Sequence, residues 1–191
     1  VIRLAVELLI EHNGTIQYPA VVEGVKLTLE RKRTPGKLAF TVVKDETLNF
    51  QEGDPVKLTV EGTPMFYGFV FTKSRDKDGT IDVVAYDQMR YLKNKDTITE
   101  EGLKASDLLK RIATDFQLNL GTVEDTGYTF ETIVEENQTL FDMIQDALDE
   151  TLRQTKTLFI LYDDCGSLTL KNINSLKTDL LIDAETAENF D

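Results

Sequence analysis

The chain has 191 residues, 41% hydrophobic and 29% charged, with a formal net charge of −13. That length holds one large domain or two small ones, and no apolar run is long enough to span a bilayer. The acidic balance speaks against nucleic acid, which needs a basic footprint, so neither nucleic-acid sequence recognition nor stable membrane insertion is expected.

The first half reads as strands. Ile2, Leu4, Val6, Leu8 and Ile10 alternate, and Asn13-Gly14 follows as a hairpin turn. Arg3 and Glu7 interrupt the apolar start, so it lacks the logic of a signal peptide, and the missing initiator Met points to a trimmed start. Val25, Leu27 and Leu29 alternate, then Arg31-Lys32-Arg33 leads into the turn Thr34-Pro35-Gly36-Lys37. Leu38, Phe40 and Val42 return. Val56, Leu58 and Val60 follow the turn at Gly53-Asp54-Pro55. Met65–Phe71 is a nearly continuous apolar run with Gly68 in its middle, where a bulge or sharp bend is expected. Two readings of this run are open: a central strand covered on both faces by its own domain, or one face packed on a second domain or subunit. After the turn Asp76-Lys77-Asp78-Gly79, Ile81, Val83 and Ala85 share one face. The alternation then stops in a corner at Tyr86–Asp96. Six or seven short strands with Gly/Pro/Asn turns point to a small antiparallel barrel or sandwich, an antiparallel β-barrel-like domain over 1–96, in which full closure would also remove sticky edges.

The second half changes period. Ser106 reads as a helix N-cap with Asp107 in the first turn, and Leu108, Leu109, Ile112, Ala113 and Phe116 follow at helical spacing. Tyr128, Phe130, Thr132 and Val134 alternate as a strand. Thr139 with Asp142 has the form of a capping box, opening a helix to about Thr155. Thr157–Tyr162 and Ser167–Lys171 are strands joined by the turn Asp163-Asp164-Cys165-Gly166. The fold class is thus α+β, the barrel-like domain being followed by a small α+β domain over 97–173 (helix, strand, helix, β-hairpin). A terminal segment, 174–191, holds the apolar run Leu180–Ile182. Charge divides along the same line: residues 1–100 hold 14 Lys/Arg against 15 Asp/Glu, net −1, and residues 101–191 hold 7 against 19, net −12. The acidic half is a solvated face or meets a basic partner.

Little here suggests chemistry. The single cysteine, Cys165, rules out a disulfide framework and a Cys-rich metal site, and it sits in a turn without a local base. The single histidine, His12, has no evident triad partner and is expected to be exposed. Asp76–Ile81 matches the middle of a calcium loop, but the first ligand position would be Ser74 and the bidentate one Ala85. Asp163-Asp164 and Glu135-Glu136 read as solvated loop carboxylates. Arg31-Lys32-Arg33 reads as a solubilising hairpin tip or a contact for an acidic partner. No catalytic residue, metal ligand or cofactor is assigned.

The corner Ala85-Tyr86-Asp87-Gln88-Met89-Arg90-Tyr91-Leu92-Lys93-Asn94-Lys95-Asp96 resembles a segment of the PBSX-type prophage tail hub family, the XkdQ-like baseplate proteins. Gly53–Leu58 with Phe66–Phe71, Lys73–Gly79, Thr139–Leu148, Leu161–Asn172 and Asp179–Ala184 resemble further segments of that family, in its order, over roughly 21–187. The resemblance implies a non-enzymatic, trimeric ring at the end of a contractile tail tube, in a particle assembled in the bacterial cytoplasm. The implied partners are tail tube, spike and baseplate proteins. Family members run on into a second barrel-like domain, so 174–191 is expected to lead toward a missing or truncated one. Phe66, Tyr67, Phe69, Phe71, Tyr86, Asp87, Arg90 and Tyr91 are the candidate domain-junction or subunit-interface residues. The competing functions are a β-barrel carbohydrate- or receptor-binding module, disfavoured by the absence of Trp platforms, and a peptidoglycan hydrolase, disfavoured by the absence of an acid/base or zinc constellation.

Overall fold

The structure is a computed structural model that describes residues 5–22, 24–77 and 79–178. Its first part is a seven-stranded antiparallel sheet of β1 (Val6–His12), β2 (Thr15–Gln17), β3 (Lys26–Thr28), β4 (Lys37–Val43), β5 (Pro55–Val60), β6 (Thr63–Arg75) and β7 (Thr80–Tyr86), in the order β2-β1-β5-β6-β7-β4-β3. The alternation read from sequence sets the buried face. Leu8, Ile10, Leu38, Phe40, Val42, Val56, Leu58, Phe66, Val70, Ile81, Val83 and Ala85 point to one core, capped by Phe50 from a loop. The turn at Asn13 and Gly14 takes positive φ at both residues, 49° and 76°, and joins β1 to β2 across two residues, the twist a tight hairpin needs.

Among the described residues this sheet does not close, so the edge-free closure open to a barrel is not reached; β2 and β3 are its edges. The cause lies in the segment after β2. Val22 donates its N–H to the Thr41 carbonyl and Val43 donates to the Ala20 carbonyl, both at 2.8 Å. The segment is therefore held against β4 and leaves β1 unpaired over Val6–Leu9 on that side. A cleft of about 590 Å³, lined by Val6, Leu8, Tyr18 and Val25 among others, separates the two margins.

The second part holds α1 (Ala105–Asp115) and α2 (Leu140–Thr155), a ribbon of β8 (Lys95–Glu101) with β10 (Thr132–Thr139), and a three-stranded sheet. That sheet has the order β11-β12-β9, from β9 (Leu120–Val123), β11 (Phe159–Asp163) and β12 (Leu168–Asn172), with β9 parallel to β12. Thr139 caps α2 as expected: its Oγ1 accepts the Asp142 N–H at 3.1 Å and lies 2.6 Å from the Asp142 carboxylate. Ser106 does not cap α1. Helix α1 begins two residues earlier, after Lys104, which makes no side-chain cap bond. The Ser106 N–H is instead satisfied by the Thr126 hydroxyl at 3.2 Å, from a loop far along the chain. The strand expected from Tyr128 begins only at Thr132, because Tyr128 and Phe130 stack edge to face ahead of it. Two strands lack a strand pattern in the sequence: Lys95–Glu101 is mostly polar, and Leu120–Val123 is four residues long and largely exposed. Leu180–Ile182 lies outside the described residues.

Candidate functional site

The site is built on β6, β7 and the corner after them. Phe66, Gly68 and Val70 face the sheet core, so Tyr67, Phe69 and Phe71 take the opposite face, where each is half-buried. Gly68 is required here: a Cβ would lie 2.3 Å from the Tyr86 carbonyl oxygen, so the two backbones approach closer than any side chain allows. Pairing slips between Val70 and Thr72, so Phe71 is the extra residue of a bulge. Its ring meets Tyr86 edge to face at 5.3 Å between centroids, lies 6.5 Å from Tyr91, and carries the Arg90 guanidinium at 5.3 Å.

After Tyr86 the chain enters a 3₁₀ helix, Gln88–Lys93, and Asp87 is its cap. Asp87 is buried. One carboxylate oxygen accepts the Met89 N–H at 3.0 Å, and the other accepts the Gly36 N–H at 2.8 Å. The turn before β4 is thereby fastened to the corner. Burial, with the Asp163 charge adding to it, pushes the Asp87 carboxyl up to about 7 against the pull of the two N–H donors.

The corner is also where the two cores meet. Met89 and Leu92 belong to the buried cluster of the second part, with Leu108, Ile112, Phe141, Ile144 and Leu170. Between them and the sheet, Gln88 acts as a peptide-like bridge. Its amide oxygen accepts the Asn119 N–H at 3.0 Å, and its amide nitrogen donates to the Asn119 carbonyl at 3.1 Å and to the Asp163 carboxylate at 3.0 Å. Asp163 is therefore no solvated loop carboxylate as expected. It also accepts the Gly166 N–H at 2.6 Å, and burial raises its pKa despite these donors. Gly166, at φ +99°, lies flat against the Tyr67 ring.

A second tie comes from the basic cluster. Arg33 reaches Asp142 at 3.2 Å and Asp146 at 2.9 Å, and Lys32 reaches Asp149 at 2.9 Å. The acidic partner left open by the sequence is the chain's own α2. His12 corrects another expectation: its Nδ1 lies 2.7 Å from the Asp54 carboxylate and both side chains are largely buried. Pairing of β1 with β5, Ile10 opposite Val56, brings them together. Among the described residues no group of three or more His, Cys, Asp or Glu side chains is placed to hold a metal ion. Burial, with Asp164 and Asp163 adding to it, pushes the Cys165 thiol up, which disfavours a thiolate.

Of the eight candidate residues, Phe66 lies in the sheet core, and Tyr67, Phe69, Phe71, Tyr86, Asp87, Arg90 and Tyr91 lie on the outer face of β6 or in the corner after β7. Gln88 and Asn119 carry no signal of this role in the sequence, and Asp163 reads there as a solvated loop carboxylate. A buried amide paired with a backbone 31 residues away leaves no local signal. The Arg33 contact had one: Asp142 and Asp146 are four residues apart on a helix face.

The profile of the YQBQ-like family matches residues 25–191. The chain is 35% identical over 157 residues to phage-like element PBSX protein XkdQ of Bacillus subtilis strain 168, covering 79% of this chain and 48% of that protein. It is 34% identical, with the same coverage, to the uncharacterized protein YqbQ of the same strain. The chain therefore spans about half the length of the curated relatives it matches. Among solved structures it is similar to the prophage MuSo2 43 kDa tail protein of Shewanella oneidensis, with a TM-score of 0.66 and 14% identity, over 87% of this chain and 53% of that one. By the profile over most of its length, and with the likeness of XkdQ and YqbQ beside it, the chain belongs to the YQBQ-like family.

Proposed function

We propose that the chain is a structural, non-enzymatic component of a contractile phage-tail-like particle, part of the hub that joins tube, baseplate and spike. In the full assembly it would act as a homotrimer. The observation that carries this reading is the junction. The Asp87 clasp and the Gln88 bridge make backbone-directed bonds there, and ring contacts on the outer face of β6 and the Arg33 ion pairs add side-chain ties. Such a connection suits a part that transmits force. The names of its relatives, a phage-like element protein and a prophage tail protein, point the same way.

Light scattering coupled to size exclusion, on this chain and on a version of the length of XkdQ, tests the proposal together with capture of tube and spike proteins. A trimer and retention of either partner are expected for the longer version. A strictly monomeric longer version that retains neither partner overturns the hub reading.

A further inference from the structure

A pocket of about 300 Å³ opens where the two parts meet. That volume lies at the lower end of small-molecule sites, about 300–1,000 Å³. Its floor is Gln88, buried and with both amide atoms engaged by Asn119 and Asp163, so the floor is rigid. Its walls are the rings of Tyr67, Phe69 and Phe116 with Leu118. Tyr91, Gln117 and Asn119 stand at the mouth, all exposed.

The polar groups there are neutral and unspent. Among the described residues, the Tyr67 and Tyr91 hydroxyls and the Gln117 and Asn119 side-chain amides make no hydrogen bond, and no Lys, Arg, Asp or Glu lines the pocket. Gln117 stands just past the end of α1 at φ +53°, a position where the backbone favours Gly. This is the ordinary close of a helix, with the Leu118 N–H donating to the Ala113 carbonyl at 2.8 Å, and it leaves the long Gln117 amide at the mouth.

We propose that this pocket binds a neutral carbohydrate, one or two sugar rings in size. The C–H faces of a sugar ring stack on aromatic rings, and its vicinal hydroxyls match side-chain amides that both donate and accept. The missing charges disfavour phosphates, acidic sugars and metal ions. The inference is independent of the tail assignment.

The test is an NMR titration of the whole chain with glucose, maltose, N-acetylglucosamine, N,N′-diacetylchitobiose, glucose 6-phosphate and a proline-rich peptide. At least one neutral sugar should shift the Gln117 and Asn119 side-chain amide signals at millimolar concentration. Tyr91→Ala and Gln117→Ala should each weaken that binding about tenfold, the loss of one stacked or bonded group. Gln117 is exposed and its side-chain amide unbonded among the described residues, so the unfolding midpoint of Gln117→Ala should hold. If Tyr91→Ala unfolds the chain, Tyr91→Phe and Asn119→Ser replace it and should weaken binding threefold or more. The proposal is overturned if no neutral sugar shifts these signals at tens of millimolar, or if the variants bind as the parent does. It is also overturned if glucose 6-phosphate binds tighter than glucose, or if the peptide alone occupies the pocket.

Discussion

Asp87 concentrates the chemistry of the junction in one carboxyl. Its folded pKa, about 7, lies above the ordinary value of 3.8, so between about pH 4 and 7 the folded chain holds a proton that the unfolded chain has released. Linkage then lowers stability as pH rises through that window, and the loss levels off above it. Asp163, also raised, contributes with the same sign. Urea unfolding should show stability falling by on the order of a few kcal/mol from pH 4 to 7 after other groups are allowed for. In Asp87→Asn that slope should flatten, while stability at pH 5 drops by about 1–3 kcal/mol, because one N–H donor loses its acceptor. An unchanged slope would remove Asp87 as its source. Gly68 makes a simpler case. Gly68→Ala sets a Cβ against the Tyr86 carbonyl, and overpacking of this kind should cost about 1–3 kcal/mol, read from the denaturant midpoint.

At the scale of elements, β6 decides the most. Its inward side chains complete the sheet core, and its outward ones stay half-buried, with Phe71 against the corner. Phe71→Lys should therefore lower stability, by about 1–2 kcal/mol for the apolar area returned to water, and leave the oligomeric state of this chain unchanged. A loss of association with unchanged stability would mean that this face serves a neighbouring subunit instead. Helix α1 shows a cap supplied from outside its own sequence. Thr126→Val, which keeps the shape and removes the hydroxyl, should cost about 1 kcal/mol through the unpaired Ser106 N–H. Thr139→Ala at the ordinary cap of α2 should cost about as much.

Across the whole molecule, two kinds of tie hold the parts together and they respond differently to salt. The Gln88 and Asp87 bonds are buried and little screened. The Arg33 and Lys32 pairs are partly exposed, each worth about 0.2–1 kcal/mol and weakened as ionic strength rises. Arg33→Ala should cost about 1 kcal/mol at low salt, and the difference from the parent should shrink at 1 M salt, near which the Debye length falls to about 3 Å. A difference that does not change with salt would mean that packing by the Arg33 stem, not its charge, is what the substitution removes.

By itself the sequence determined what repeats locally: the period-two faces of the strands, the Asn13-Gly14 turn, the capping box at Thr139 and the change to helical spacing after residue 105. These follow from the geometry of a few adjacent residues, so a short window carries them. The tertiary structure alone decided which parity of Met65–Phe71 faces outward, since a strand with two apolar faces has no preferred side until something covers one. It also decided that β9 is a strand, because its bonds go to β12, and that α2 receives Lys32 and Arg33. The sheet stayed open for the same kind of reason: Ala20–Val22 bonds to β4, and such a choice is settled between segments distant in the chain.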